Sequence, residues 1–325
     1  MSVMTLVKAI NNALDIKLNE NKDVVVYGQD VGYEGGVFRV TQGLQKKYGA
    51  QRVFDSPLAE SGIVGTAVGM AVAGMKPVIE MQFSGFAYPG FNHIISHVSR
   101  MRNRSRGKYT SSMVIRMPYG GGIKALEHHS ESMEAIYGHI PGLKVVIPST
   151  PHDAKGLLIS AIESQDPVIY MEPKRIYRAV KQEVSEDKFN VQIGKANVVQ
   201  QGKDVTVVSY GAMMRDTQKA LALAKKAGIS VELIDLRTIF PLDVETIASS
   251  IKKTGRIVTV HEGPNSFGVA SEINSIALEE SFLHLEAPPK RVTGFDTIFP
   301  LPQGEHHYMP TPEKIFYEIE KTVKF

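Results

Sequence analysis

The 325-residue chain contains no cysteine, which removes disulfides, thiolate metal sites and cysteine nucleophiles together and fits a reducing compartment. It has no apolar run approaching the roughly 20 residues that span a bilayer. It also has no low-complexity tract and no short-period repeat, so solenoids and propellers drop out. Charge of one sign is not in excess either. Lys and Arg number 37 against 34 Asp and Glu, a formal net charge of +3, and basic residues gather only around positions 100–108, so nucleic-acid binding has little support. The first residues lack the charged, apolar and small-residue succession of a secretory signal. A cytoplasmic protein with no membrane partner is the expectation.

The hydrophobic fraction of 43% and charged fraction of 22% are those of a globular chain, and the length exceeds one comfortable core, so two domains are expected. Leu6, Ile10 and Leu14 recur at helical spacing, and a β-branched run at 23–27 comes next, ended by Gly28. Residues 60–75 are small and apolar, with Gly62, Gly65, Gly69 and Gly74 among them. Each glycine weakens a helix by up to about 1 kcal/mol, and close approach of another helix is the usual reason to tolerate several. A tightly packed helix at a subunit interface is the reading. A strand-like stretch at 77–81 and runs at 113–116, 144–147 and 167–171 that are too apolar for half-exposed strands indicate a parallel sheet covered on both faces. The pattern breaks between about 180 and 202, where the linker is placed. A second alternation comes after it, with strands at 205–208, 231–235 and 257–260 and helices at 216–227, 244–253 and 270–280. The expectation is two α/β domains, 1–190 and 191–325.

Three stretches could carry chemistry. Gly28-Gln29-Asp30-Val31-Gly32 with Gly35-Gly36 stands directly after a strand, but its spacing fits neither the dinucleotide fingerprint nor the P-loop, and a tight turn explains it as well. Asp55-Ser56-Pro57-Leu58-Ala59-Glu60-Ser61-Gly62 sets a carboxylate at the entry of an apolar helix. Glu60 there either complements the helix dipole or, enclosed by apolar neighbours, exchanges a proton with a ring nitrogen. Gly120-Gly121-Gly122 leads to His128-His129-Ser130. Adjacent histidines make a poor metal site, but one of them in a loop at the strand ends could transfer a proton, and a surface pair is the alternative. His306-His307 lacks the glycine context and is read as structural. No metal ligand set is predicted.

In this order, these segments resemble the beta subunit of heterotetrameric 2-oxoacid dehydrogenases, the thiamine-diphosphate-dependent decarboxylating component. Glu80-Met81-Gln82-Phe83, Pro141-Gly142-Leu143-Lys144-Val145-Val146-Ile147-Pro148, Asp153-Ala154-Lys155-Gly156, Asp235-Leu236-Arg237-Thr238 and Leu285-Glu286-Ala287-Pro288 carry the likeness over nearly the whole chain. It implies an N-terminal pyrimidine-binding domain with a parallel sheet and a C-terminal transketolase-like α/β domain. It also implies an alpha2beta2 heterotetramer whose alpha subunit holds the diphosphate and Mg2+ through a Gly-Asp-Gly…Asn motif absent here, and a dihydrolipoyl acyltransferase core with its lipoyl domain as partner. By this resemblance Glu60 hydrogen-bonds the aminopyrimidine nitrogen, Phe86 stacks on the ring, and Leu58 and Gln82 line the pocket. His129 guides the lipoyl group and donates a proton to it, and Gly65 and Gly69 belong to a beta–beta contact.

Two positions depart from the family. Gln29, beside the cofactor, stands where relatives carry the glutamate of an inter-site acidic path, and an amide cannot relay a proton as an acid. Ser164 stands where a carboxylate occurs near the K+ site that some relatives build around 161–166, which leaves that ion open. Glu172-Pro173-Lys174-Arg175-Ile176-Tyr177-Arg178-Ala179 and Phe282-Leu283-His284-Leu285-Glu286-Ala287-Pro288 look closer to branched-chain enzymes, so a branched-chain 2-oxoacid such as 2-oxoisovalerate is the expected substrate, with pyruvate or acetoin as alternatives. A split transketolase half and a non-catalytic assembly scaffold are the rival classes.

Overall fold

The computed structural model describes all 325 residues, and their packing divides the chain into two compact units. Met1–Tyr119 with Ile136–Ile193 forms the first, and Gly120–Ala135 with Gly194–Phe325 the second. The polypeptide therefore lends the segment after its fifth strand to the second unit before returning to the first.

In the first unit, β1 (Ser2–Thr5) leads into the helix Leu6–Glu20, whose start is capped by the Thr5 hydroxyl accepting from the Lys8 amide. The strands β2 (Val24–Gly28), β3 (Val53–Asp55), β4 (Lys76–Glu80), β5 (Val114–Tyr119), β6 (Lys144–Val146) and β7 (Val168–Pro173) then run parallel in the order β6-β7-β5-β4-β2-β3. β2, β5 and β7 are buried at every position, as their largely apolar runs require of a sheet covered on both faces. The helix Pro151–Glu163 packs against Leu6–Glu20; it begins at Thr150, which caps the Asp153 amide, with Pro151 in the first turn.

One polar cluster lies inside this core. Arg116 of β5, fully buried, donates to Glu80 of β4 at 2.6 Å and to Glu172 of β7 at 3.0 Å, and Tyr177 donates to the same Glu172 oxygen at 2.6 Å. Burial works against the charges of Glu80 and Arg116. It pushes the Glu80 carboxyl up, while the two carboxylates together hold the guanidinium firmly protonated.

The stretch expected to be a plain linker holds two strands. β8 (Lys181–Val184) pairs antiparallel with β1, and β9 (Asn197–Gln200) pairs antiparallel with β11 (Val231–Asp235). Both are edge strands with mostly solvent-facing side chains, so neither carries the apolar alternation by which strands are recognised. Lys155, buried on the Pro151–Glu163 helix, donates its ammonium to the carbonyls of Ser185, Glu186 and Asp187 at 2.7, 2.9 and 2.7 Å.

The second unit contains β10 (Val205–Ser209), the short β12 (Thr238–Phe240), β13 (Ile257–Val260) and β14 (Lys290–Val292), its sheet ordered β14-β13-β10-β11-β9. The helix Val244–Thr254 is capped by Asp243 and closed by Gly255 in the left-handed region, φ 70°. Leu221, Val207, Val258, Ile315 and Ile319 share its core. The helix Pro312–Val323, absent from the expectation, has clear local causes: Thr311 caps the Lys314 amide, Pro312 comes next, and Ile315, Ile319 and Thr322 are buried on one face. No helix is long and apolar enough to cross a membrane.

Candidate active site

β3, β2 and β4 are neighbours and parallel, so the segments beyond their C-terminal ends gather at one edge of the sheet, the usual place for ligands in such sheets. Gln29 and Asp30 come after β2, Leu58 and Glu60 after β3, and Gln82 and Phe86 after β4. All five cofactor-site residues expected in this unit therefore belong to one edge. The glycine-rich loop after β2 is a turn and not a phosphate cradle. The Gly32 and Tyr33 amides are spent on the Asp55 carboxylate at 2.6 and 3.1 Å, and the Gly36 amide donates to the Asp30 carbonyl at 2.7 Å. Asp30 adopts φ 59° in that turn and accepts from the Gln82 amide at 2.7 Å, which fixes the direction of Gln82.

Glu60 is the first residue of the helix Glu60–Val72, preceded by Ala59, which offers no side-chain cap. The Ser61 hydroxyl donates to the Pro89 carbonyl, and a Cβ on Gly90 would lie 3.1 Å from the Glu60 carbonyl. Thus the helix Tyr88–His93 presses close to the first turn of the Glu60 helix, and the preceding turn Ser84–Ala87 carries Phe86. The Phe86 ring meets Phe83 edge-on at 5.3 Å and 69°.

The apolar enclosure expected around Glu60 is not supplied by this chain: Glu60 is only half-buried and Leu58 is 67% exposed. The glycines of the same helix tell a similar story. Nothing lies within 4 Å of a Cβ built on Gly69, and only the His93 ring, at 3.9 Å, approaches one on Gly65. Gly69 therefore meets no close neighbour within this chain. A carboxyl, an aromatic ring, a directed amide and an uncovered leucine are side chains whose chemistry fits an aminopyrimidine ring.

His129 lies in the second unit, in the turn Glu127–His129, where its amide donates to the Leu126 carbonyl at 3.0 Å. Ser130 is buried and its hydroxyl donates to the same carbonyl at 3.1 Å. His128 is exposed and lies 3.2 Å from a Glu131 oxygen, so the two imidazoles serve different surroundings. His306 and His307 are exposed, with ring centroids 3.8 Å apart.

A buried cluster in this unit went unseen in the sequence. Tyr210 donates to Glu134 at 2.8 Å, and Glu262 accepts from the Gly121 amide at 2.7 Å. Burial pushes the Glu134 carboxyl up to about 7, with nearby Glu262 adding to the shift. The neighbouring His261, whose ring lies 6.2 Å from that of Tyr210, is pushed down to about 4 by burial and by Arg291. The glycine run at 120–122 was the available signal.

Residues 2–180 match the family model described as transketolase, pyrimidine binding domain, and residues 194–315 match transketolase, C-terminal domain. The chain is 57% identical over 324 residues to the pyruvate dehydrogenase E1 component subunit beta of Acholeplasma laidlawii, covering 100% of this chain and 99% of that protein. It is 50% identical to the protein of the same name from Mycoplasma pneumoniae, covering 98% and 97%, and 48% identical to that of Staphylococcus epidermidis over the full length of both. A solved structure described as a split gene transketolase, inactive beta4 tetramer, superimposes with a TM-score of 0.82 at 22% identity, covering 99% of this chain and 98% of that one. That likeness speaks for the fold.

Proposed function

The chain belongs to the beta subunits of thiamine-diphosphate-dependent 2-oxoacid dehydrogenases, and on that footing we propose that it is half of a pyruvate dehydrogenase E1 component. The observation that carries the choice of pyruvate is end-to-end identity of 57%, 50% and 48% with proteins of that name. The branched-chain expectation, which rested on two segments, finds no support in these relatives. Glu172 and Tyr177 belong to the buried Arg116 cluster, and Phe282 and Leu283 are 65% and 91% exposed at the end of the helix Val269–Ser281.

Thiamine diphosphate, when bound, supplies the electron sink that lets the carboxylate of a 2-oxoacid leave as carbon dioxide. In this chain Glu60 would hold a proton shared with the aminopyrimidine nitrogen, and Phe86 would offer its face to the ring. Leu58 would cover the ring's edge, and Gln82, aimed by Asp30, would orient it. Gln29 beside them is neutral at every pH, so it contributes position and no proton. His129 would receive the lipoyl group of the acyltransferase and supply its proton. The half-buried state of Glu60 supports a site whose water-poor surroundings the alpha subunit would complete, bringing with it the Mg2+ and diphosphate site. Residues 1–190 would act as the pyrimidine-binding domain and 191–325 as the transketolase-like domain, in an alpha2beta2 assembly in which Gly65 and Gly69 face the second beta chain.

Potassium is not included. Around 161–166 the Lys144 ammonium lies 3.1 Å from the Ser164 hydroxyl and 3.4 Å from Asp166, Arg102 lies 3.2 Å from Asp166, and Lys76 donates to the Ile162 carbonyl at 3.3 Å. A further cation would face three positive charges there.

The test is to co-express the chain with its alpha partner and measure reduction of an artificial acceptor, with thiamine diphosphate and Mg2+, across pyruvate, 2-oxoisovalerate and acetoin. Preference for pyruvate is expected. Preference for 2-oxoisovalerate would restore the branched-chain reading, and no turnover by a properly assembled tetramer would leave a scaffold.

A further inference from the structure

The segment 120–135, which carries His129, is fastened inside the second unit by side chains from three separate elements. The Gly121 amide donates to Glu262 at 2.7 Å, the Lys124 amide donates to Glu305 at 3.0 Å, and Tyr210 donates to Glu134 at 2.8 Å. The Gly120 amide donates to the Glu131 carbonyl at 3.0 Å, which ties the entry of the segment to its exit. Glu262, Glu305, Tyr210 and Glu134 are all buried. Tyr210 and Glu262 lie just beyond the ends of β10 and β13, which are adjacent parallel strands, so two of the fasteners rise from one edge of the second sheet.

The glycines make this approach possible. A Cβ on Gly120 would lie 2.7 and 2.8 Å from the Glu262 oxygens, and one on Gly121 would lie 2.3 Å from the Phe299 ring. A backbone amide held by a buried carboxylate is a charge-assisted bond, stronger than a neutral one. Its loss would strand a buried donor.

We propose that Glu262, Glu305 and Tyr210 are positioning residues for His129: they hold the 120–135 segment in one geometry, so that the imidazole meets the lipoyl group at a fixed place. The inference rests on the reading of His129 as the residue that receives the lipoyl group. None of the three needs to touch that group, and their effect belongs to acyl transfer more than to decarboxylation.

The test uses the assembled alpha2beta2 enzyme with Glu262→Ala, Glu262→Gln, Tyr210→Phe and, as reference, His129→Ala. Three quantities are measured: decarboxylation with an artificial acceptor, reductive acylation of the isolated lipoyl domain, and hydrogen exchange at the Gly121 and Lys124 amides. Glu262→Ala is expected to accelerate exchange and to lower the ratio of acylation to decarboxylation by about tenfold or more, since small misplacements of a reacting group have effects of that size. Glu262→Gln keeps an acceptor and should recover most of the ratio. If Glu262→Ala does not assemble, Tyr210→Phe, which removes a single oxygen, carries the same comparison. Unchanged exchange overturns the clamp. So does accelerated exchange with an unchanged ratio, provided His129→Ala lowers that ratio. If His129→Ala itself leaves the ratio unchanged, it is the underlying reading of His129 that falls.

Discussion

The hydroxyl of Tyr210 points at Oε1 of Glu134 from 2.8 Å, inside a part of the second unit from which water is excluded. Burial, first, and then the nearby Glu262 push the Glu134 carboxyl up to about 7, against the lowering effect of its hydrogen bonds. Because the folded value lies above the unfolded one, near 4.5, the folded state binds the extra proton between the two. The associated stability is present below about 4.5 and is lost as pH rises through about 7. Glu134→Gln keeps an acceptor for Tyr210 and removes the titration. Melting temperatures of the two proteins across pH 5 to 8 should therefore diverge, the parent losing on the order of 1–3 kcal/mol relative to the variant as pH rises. Parallel curves would mean that Glu134 is ionised in the fold throughout.

His261 works in the opposite direction. Burial and Arg291 push it down to about 4 from an ordinary value of 6.5, so its contribution is complete above about 6.5 and is lost as pH falls through about 4. His261→Gln should flatten the acid limb of the stability curve below pH 6, read by denaturant unfolding at a series of pH values. An unaltered acid limb would mean that the imidazole charges freely in the folded state.

The sheet was legible because β2, β5 and β7 are buried at every position and read as largely apolar runs, and Glu60 was legible because a carboxylate opening an otherwise apolar helix is conspicuous. Glu134, Glu262 and Arg116 were not. A buried carboxylate and a surface one look alike in a sequence, and what buries Glu262 against Gly121 lies 141 residues away. The edge strand at 181–184 escaped for a related reason, since its side chains face water and only its backbone pairing defines it. The 67% exposure of Leu58 could not be foreseen either, because an apolar residue is read as buried without saying by which chain.

Gly121→Ala should be costly for a steric reason. The new methyl would lie 2.3 Å from the Phe299 ring and 3.2 Å from the Met309 sulfur, and both side chains are buried. Overpacking of this kind costs about 1–3 kcal/mol. Adding Phe299→Leu should recover part of the loss, and a double-mutant cycle in urea would measure the coupling. Additive effects would show that the loop moves away without meeting the ring.

Arg116→Met removes one guanidinium shared by two buried carboxylates. With Glu80 and Glu172 left facing each other across the place it occupied, the loss should be about 3–5 kcal/mol, as for other broken buried pairs. Glu80→Gln, which leaves the contacts of Arg116 with Glu172 in place, should cost less. Equal costs for the two would mean that the arginine acts by filling space.

Lys155 offers the clearest separation of charge from packing. Its ammonium is the donor to three successive carbonyls, Ser185, Glu186 and Asp187, and it lies 5.2 Å from the Phe189 ring centre. Next to it, a Cβ on Gly156 would come within 2.4 Å of Val191, so residues 185–191 lie flat on this helix. Burial lowers the lysine's affinity for its proton, and Asp187 and Glu186 oppose that shift. Lys155→Met keeps most of the volume but leaves three carbonyls without their donor. A loss of about 2–4 kcal/mol is expected, given 1–3 kcal/mol for a single unsatisfied buried group and partial access of water to the turn. Hydrogen exchange in 181–191 should quicken first, because β8 is an edge strand whose far end is tied down by this lysine. If exchange there is unchanged while global stability falls, the three carbonyls have found water and the lysine's contribution is to the helix alone.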